Sequence, residues 1–294
     1  KHLREAGRND PLAHLAARPA VAEIEAIGRV LTLAEWTGAR VHIAHHSAAD
    51  SLYVLRDAKR RGVDVTVETC PQYMLLNTTD MLRLGGIMRV NPPIREARHN
   101  QPLWDALCEG VIDMIATDHA PHTPEEKTRE SIWECDCGFP GVETQMPLML
   151  TEVNRGRASL MDYVRWSAEA PAKAWGLYGV KGVLAPGAHA DIAIVDMDRR
   201  GVLSQNRLRS ISRISPWNGR TVQGYPLHTL VRGRFVMRDG ELVEDAAGWG
   251  QSVKAVQKMP APTVRHADTF VPAITAPDAA AREAAAAARE EVAR

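Results

Sequence analysis

Residues 113–127, D-M-I-A-T-D-H-A-P-H-T-P-E-E-K, join a short apolar run to a cluster of ionisable side chains. The apolar half has the composition of a strand buried on both faces, and it ends abruptly at Asp118, His119 and His122. A carboxylate and imidazoles at a buried strand tip are costly to hold unless they are paired, hydrogen-bonded or bound to metal. Proton transfer and metal ligation are the chemistry such groups can do. A second run, R-V-H-I-A-H over residues 40–45, is again a short apolar strand, ending in His45, His46 and Ser47. Taken alone, His45 would more often be a hydrogen-bonded strand-end residue. Paired with Asp118 it suits zinc or a similar divalent ion.

Elements of fixed kind must deliver those tips. From Pro19 to Trp36 the apolar positions Ala20, Ile24, Ile27, Val30, Leu31 and Ala34 recur at spacings of three and four, with Glu23, Glu25, Arg29 and Glu35 between them. This is an amphipathic helix, and Gly38 stops it before the strand over 40–45. A second helix is expected over 49–61, closed by Gly62, and V-D-V-T-V-E-T-C over 63–70 is the next strand, broken by Pro71. Asn91-Pro92-Pro93 marks a loop, residues 102–110 read as a helix packing Leu103, Trp104 and Leu107, and residues 113–117 are the third strand. Strand and helix alternating at this spacing define a parallel sheet of βα units. A barrel of such units gathers its functional groups at the carboxyl ends of its strands, so His45 and Asp118 belong on one rim.

A closed eight-unit barrel takes about 250 residues, whereas three units fit here before the pattern changes near Lys181. The chain also opens at Lys1, inside what reads as a helix under way. A fragment lacking the N-terminal half of a barrel is therefore expected. Residues 147–153 and 161–175 read as two more helices. From Gly182, short alternating strands separated by P-G, R-G and D-G turns form a small antiparallel unit with a structural role. Residues 248–275 are Pro-rich and read as an arm over the body or a partner chain; residues 278–294, nearly all Ala, Glu and Arg, are a tail or a packed terminal helix. The fold class is α/β: residues 1–180 as the C-terminal part of a metal-dependent (β/α)8 TIM-type barrel, residues 181–247 as a small β-sandwich-type unit, and residues 248–294 as arm and Ala-rich helical tail.

The 294 residues are 45% hydrophobic, enough for a real core, and 36 Lys and Arg balance 36 Asp and Glu. Zero net charge offers no electrostatic footprint for nucleic acid or an anionic membrane, and small polar substrates fit better. No apolar run approaches bilayer length, and the first ten residues lack a signal peptide's apolar core, so a cytoplasmic location is expected. Cys70, Cys108, Cys135 and Cys137 are expected as reduced thiols, and the single C-x-C as ordinary loop cysteines.

H-I-A-H-H-S, V-E-T-C-P-Q-Y-M-L-L, N-P-P-I-R, A-T-D-H-A-P-H-T-P-E-E-K, G-F-P-G-V-E-T and V-L-A-P-G-A-H-A-D-I-A-I-V-D occur in that order. Over roughly Pro19 to Val243 they resemble the cyclic-amide branch of the amidohydrolase superfamily, which contains dihydroorotases, hydantoinases (dihydropyrimidinases) and allantoinases. The resemblance implies two divalent metals, zinc in the reading adopted here, at the mouth of the barrel. It implies that His45 is the ligating histidine after the sixth strand. It makes Asp118 both a metal ligand and the catalytic carboxylate after the eighth. Asn91 and His122 match residues that bind substrate, the backbone around Cys137 and Gly138 is expected to contact it, and His119 is expected to orient Asp118 or the bridging water. His42 reads as structural, His46 stands where the family more often has an apolar residue, and Arg95 could either steer an acid substrate or be structural. A homo-oligomer is expected by analogy.

The departures matter as much. The family's H-x-H pair after the first strand, its lysine after the fourth and its histidine after the fifth have no counterpart here. His45 and Asp118 alone are too few ligands for a binuclear centre, so this chain by itself is expected to be inactive. The A-P-H-T ending resembles dihydroorotases, whereas V-E-T-C-P-Q-Y and the long arm resemble hydantoinases; the substrate-facing His122 weights the reading toward a dihydroorotase-like hydrolase. A hydantoinase or allantoinase is the alternative. A non-catalytic homologue serving as a scaffold subunit is the alternative of another class, and it would bind no metal tightly.

Overall fold

In the computed structural model, which describes residues 1–257, the three expected strands lie side by side. β1 (Val41–Ile43), β2 (Val65–Thr69) and β3 (Met114–Ile115) form one sheet in that order, both pairings parallel. Register is set by Val41 opposite Val65, Ile43 opposite Val67 and Thr69 opposite Ile115. The strands are shorter than their apolar runs, because a run records burial while a ladder needs a paired backbone on both sides. Beyond the ladders, His46 N–H still donates to Glu68 O and Ala116 N–H to Thr69 O, which carries the order to the strand tips.

Helices alternate with these strands as the periodicity implies. Ala20–Thr37 precedes β1, Leu52–Arg60 joins β1 to β2, and Asn100–Cys108 leads into β3. Their buried sides, Ile27, Leu31, Leu52, Leu55, Leu103 and Leu107, meet Val65, Val67 and Ile115 in one core. Along β2 burial alternates: Val65, Val67 and Thr69 face the helices, whereas Thr66 and Glu68 point the other way, beside His42. A barrel keeps its inner, functional face on that second side.

Several short helices were not read from the sequence, two of them after β2. Pro71 and Asn77 open the short helices Pro71–Leu75 and Thr78–Leu84, Pro71 as a first-turn residue that needs no N–H and Asn77 as half of a capping box. The helix expected over 161–175 is three pieces, Leu160–Val164, a π-turn over Arg165–Glu169 and Ala170–Ala174. Pro171 lacks the N–H that an unbroken α-helix would require there.

The antiparallel unit is one four-stranded sheet, β4 (Ile192–Val202), β5 (Thr221–Val231), β6 (Arg234–Arg238) and β7 (Glu241–Leu242), in that order. Among the described residues its second layer is the helix Gln145–Asn154 rather than another sheet. Asn154 Nδ2 donates to Met197 O and Gln223 O, and Gln223 N–H donates to the Thr151 hydroxyl. Leu150 comes so close to Gly224 that a Cβ there would lie 2.6 Å from its own, so only glycine fits. The Ala-rich tail and most of the Pro-rich arm lie outside the described residues.

Candidate active site

The two strand tips that the sequence singles out carry the same backbone signature. His45 has φ 40° and Asp118 φ 50°, in the left-handed region that costs a non-glycine residue of order 1 kcal/mol. Only two other non-glycine residues among those described share it, Arg232 and Asp239, and each immediately precedes the glycine of a hairpin turn. Turn geometry explains those two. His45 and Asp118 end parallel strands, where such strain is a marker of function.

Glu68, at the end of β2, joins them. Its Oε1 accepts the His45 backbone N–H at 3.2 Å, and its Oε2 lies 3.2 Å from His42 Nε2, whose ring Nδ1 meets the Thr66 hydroxyl at 2.8 Å. Burial alone would push the Glu68 carboxyl up; His42 and the His45 backbone and ring outweigh it and bring it below its ordinary value. Asp118 moves the other way. Burial pushes its carboxyl above the usual carboxylate range and Glu68 adds to the rise, while His45 draws it back. Two carboxyls in one neighbourhood thus have opposite tendencies, one to stay ionised and one to hold a proton more readily.

The loops around Asp118 hold the remaining candidates. Gly138 N–H donates to Arg89 O at 2.8 Å, and Cys137 O accepts from His122 Nε2 at 3.1 Å, while His122 Nδ1 faces Glu126 Oε2 at 3.3 Å. The groups expected to meet substrate are therefore also engaged with one another. His119, expected to orient Asp118 or the bridging water, contacts the following loop through one ring nitrogen. Its side chain is exposed, and its Nδ1 accepts the N–H groups of Gly141 and Val142 at 3.0 and 3.3 Å, bracing the following loop. Asn91 is exposed at the rim, with its Oδ1 held at 3.1 Å by His14 Nε2. Arg95 is structural, buried in an ion pair with Glu23, and His46 is buried beside the same carboxylate.

Sequence reasoning missed Lys127, the last residue of the segment it started from. Its side chain is 1% exposed, and its ammonium donates to Arg89 O at 2.8 Å and Asp136 O at 2.6 Å, tying the Asn91 loop to the Cys137–Gly138 loop. Gly138 completes this junction. At φ 126°, a Cβ would lie 2.4 Å from Ala120 Cβ and 2.7 Å from Ala120 O. Gly138→Ala is therefore expected to destabilise by about 2 kcal/mol beyond the cost of Gly156→Ala, a positive-φ glycine with open space around it. Urea unfolding of both variants checks this, and equal costs would remove the steric argument.

The donor set at the strand tips fits a divalent ion in part. His45 Nδ1 is buried without a hydrogen-bond partner, and Asp118 holds a carboxylate in a site that disfavours its lone charge. Among the described residues, only His122, Glu126 and Asp136 bring three potential ligand atoms within 4.8 Å of one another. His122 and Glu126 are already engaged there, Glu126 closing the capping box of Pro124–Lys127.

Ionisable groups gathered at the carboxyl ends of parallel βα strands define the rim site of a barrel-type protein. Residues 14–236 match the Amidohydrolase family, a metal-dependent family, and the chain belongs to it. An L-hydantoinase of Paenarthrobacter aurescens is 39% identical over 256 residues, 86% of this chain and 56% of that protein. A dihydroorotase of Pelotomaculum thermopropionicum is 42% identical over 222 residues, 75% of this chain and 51% of that one. The solved structure of an L-hydantoinase (dihydropyrimidinase) from Arthrobacter aurescens aligns with a TM-score of 0.80 at 38% identity, covering 82% of this chain and 54% of that chain. The chain thus spans about half the length of the curated relatives it matches. No helix among the described residues is long and apolar enough to cross a membrane.

Proposed function

We propose that this chain supplies the C-terminal part of a cyclic amidohydrolase barrel, residues 1–180, with the antiparallel unit 181–247 as its structural companion. Its substrate would be a ring acid of the dihydroorotate type. The observation that carries the reading is the pair His45 and Asp118, both strained into the left-handed backbone at the tips of parallel strands. His45 and Asp118 would hold divalent metal, zinc by the chemistry of the donors; when bound, such ions make hydroxide available near neutral pH and polarise a carbonyl. Asp118, whose carboxyl burial pushes up, takes the proton of the attacking water. As the ring C–N bond breaks, Asp118 returns that proton to the departing nitrogen, and the ring opens as a carbamoyl acid.

An acid substrate is favoured by the charge around Asn91. Arg18, Arg89 and Lys127 all act on His14, which holds Asn91. Arg89 and Lys127 spend donors on main-chain carbonyls, and neither is in an ion pair with a carboxylate among the described residues. A positive field of this kind suits a carboxylate. A neutral hydantoin is the second reading, supported by the engaged ring of His122 and by the length of the match to the L-hydantoinase.

Two ligands do not make a binuclear centre, so the chain of residues 1–294 is expected to retain less than one zinc and to turn over no ring substrate. The test expresses it together with its in-frame upstream coding sequence. Zinc binding with ring opening of dihydroorotate supports the proposal, and turnover of hydantoin instead establishes the second reading. A chain that binds no metal and opens neither ring is a scaffold, and the catalytic reading falls.

A further inference from the structure

We infer that His14 is a positioning residue that fixes the amide of Asn91, so that Asn91 presents its NH2, and not its carbonyl, to the substrate. This deepens the proposed function and rests on it for the substrate, though not for the geometry.

His14 lies in the helix Pro11–Ala16 and has no exposed surface. Its Nε2 is 3.1 Å from Asn91 Oδ1, a contact that spans 77 residues of chain, while its Nδ1 is buried without a partner. A neutral ring has one N–H, and two arrangements satisfy a contact of this length. Either Nε2–H donates to the Asn91 carbonyl, or the amide is reversed and its NH2 donates to a bare Nε2. In the second arrangement the ring proton sits on Nδ1, which makes it a buried donor with nothing to accept it. Unpaired buried donors are rarer than unpaired acceptors, and the penalty for one is of the order of a whole hydrogen bond. The cations around His14, Arg18, Arg89 and Lys127, also favour a lone pair over a second N–H. The first arrangement prevails.

The consequence reaches the rim. With Oδ1 turned inward to His14, the exposed Asn91 side chain offers two N–H donors outward, so the substrate atom it meets must be an acceptor, a carbonyl or a carboxylate oxygen. Among the described residues no carboxylate draws His14 toward a charged state that would change this, and burial with three surrounding cations holds the ring neutral across the working range of pH.

The experiment labels histidine and asparagine with 15N in the present chain and reads the ring tautomer and the Asn91 side-chain amide by long-range heteronuclear NMR, with His14→Gln and His14→Leu alongside. A protonated Nε2 and a bare Nδ1 from pH 6 to 8 are expected. His14→Leu should collapse the separation of the two Asn91 amide protons toward a freely rotating side chain, and His14→Gln, whose amide can reach the place of Nε2, should restore it. A proton on Nδ1, or an Asn91 amide unchanged in a folded His14→Leu, overturns the inference. Added dihydroorotate should shift the Asn91 NH2 signal in the wild type by more than in His14→Leu. If the tautomer is as expected but neither dihydroorotate nor hydantoin moves that signal in the chain expressed with its in-frame upstream coding sequence, the positioning stands and the substrate reading fails.

Discussion

Replacing Glu23 by Gln is expected to lower the stability of the chain by about 3–5 kcal/mol, as breaking one partner of a buried ion pair does. Glu23 lies in the helix Ala20–Thr37, and its carboxylate accepts the N–H groups of Ser47 and Ala48 at 2.9 Å each, the Ser47 hydroxyl, and Arg95 at 2.9 Å. The Arg95 side chain is 4% exposed and donates as well to Ser47 Oγ and Arg18 O. Burial lowers the pKa of His46 although Glu23 opposes it, and Arg95 is the permanent counter-charge. Burial by itself would raise the Glu23 carboxyl; His46, the Ser47 donors and Arg95 outweigh it and bring the net value down. Gln keeps the shape and removes the charge, leaving Arg95 buried and uncompensated. Urea unfolding measures the loss, and Arg95→Met should show one of similar size. The double variant should lose clearly less than the sum. Because the folded carboxyl is depressed, the wild type's advantage over Glu23→Gln is complete above its ordinary value of 4.5 and is lost as pH falls through the folded value. Additive losses of under about 1 kcal/mol each would show that the pair does not hold the His45 tip in place.

Glu23 also shows where reading a sequence stops. Helical spacing put it correctly on the polar side of an amphipathic helix, and a polar side ordinarily faces water. Here it faces the loop after β1, 24 residues on, and no local pattern records that. His45 and Asp118 were legible because an apolar run ending in ionisable groups is a local signal. Their left-handed backbone was not, since neither is followed by the glycine that marks Arg232 and Asp239. Glu68 was hidden by its neighbours: within V-T-V-E-T it reads as an ordinary polar position of a half-buried strand, and only the pairing of β1 with β2 sets it beside His42 and His45. The contact His119 makes was hidden for a related reason. Successive residues leaving a strand diverge, and the ring reaches the backbone of Gly141, 22 residues on, which no local pattern records.

The site so assembled is a set of tips and loops fixed from behind. Glu23 pins the His45 loop, His14 the Asn91 side chain, and Lys127 the backbone of the loops that carry Asn91 and Cys137. None of these three needs to touch substrate. Each is buried or nearly so, and each spends polar atoms on groups distant in sequence, which is how a rim of loops acquires the precision of a rigid element.

Lys127 yields the second large effect, and it appears as a dependence on pH. Its pKa is lowered from 10.5 to about 8, first by burial and then by Arg89, with Cys137, Cys135 and Asp136 opposing. Between those values the unfolded chain holds a proton that the folded chain has released, so stability rises with pH across that window. The cost of burying the ammonium is fully present below about 8 and relieved toward 10.5, a change of about 3 kcal/mol at about 1.4 kcal/mol per pH unit. Cys70 and Tyr73, both buried with raised pKa values, act in the opposite direction over the same alkaline range, so the wild type's own pH profile mixes all three groups. The difference between wild type and Lys127→Met cancels them. Near pH 7 the variant gains the desolvation cost and loses two hydrogen bonds to Arg89 O and Asp136 O, two terms of similar size that leave its stability close to the wild type's. By pH 10 the wild type should be the more stable by about 2–3 kcal/mol. Urea midpoints at pH 7, 8.5 and 10 for both proteins decide it. A difference that stays flat with pH would mean that the ammonium keeps its ordinary basicity, and that the carbonyls of the two loops, not burial, set its state.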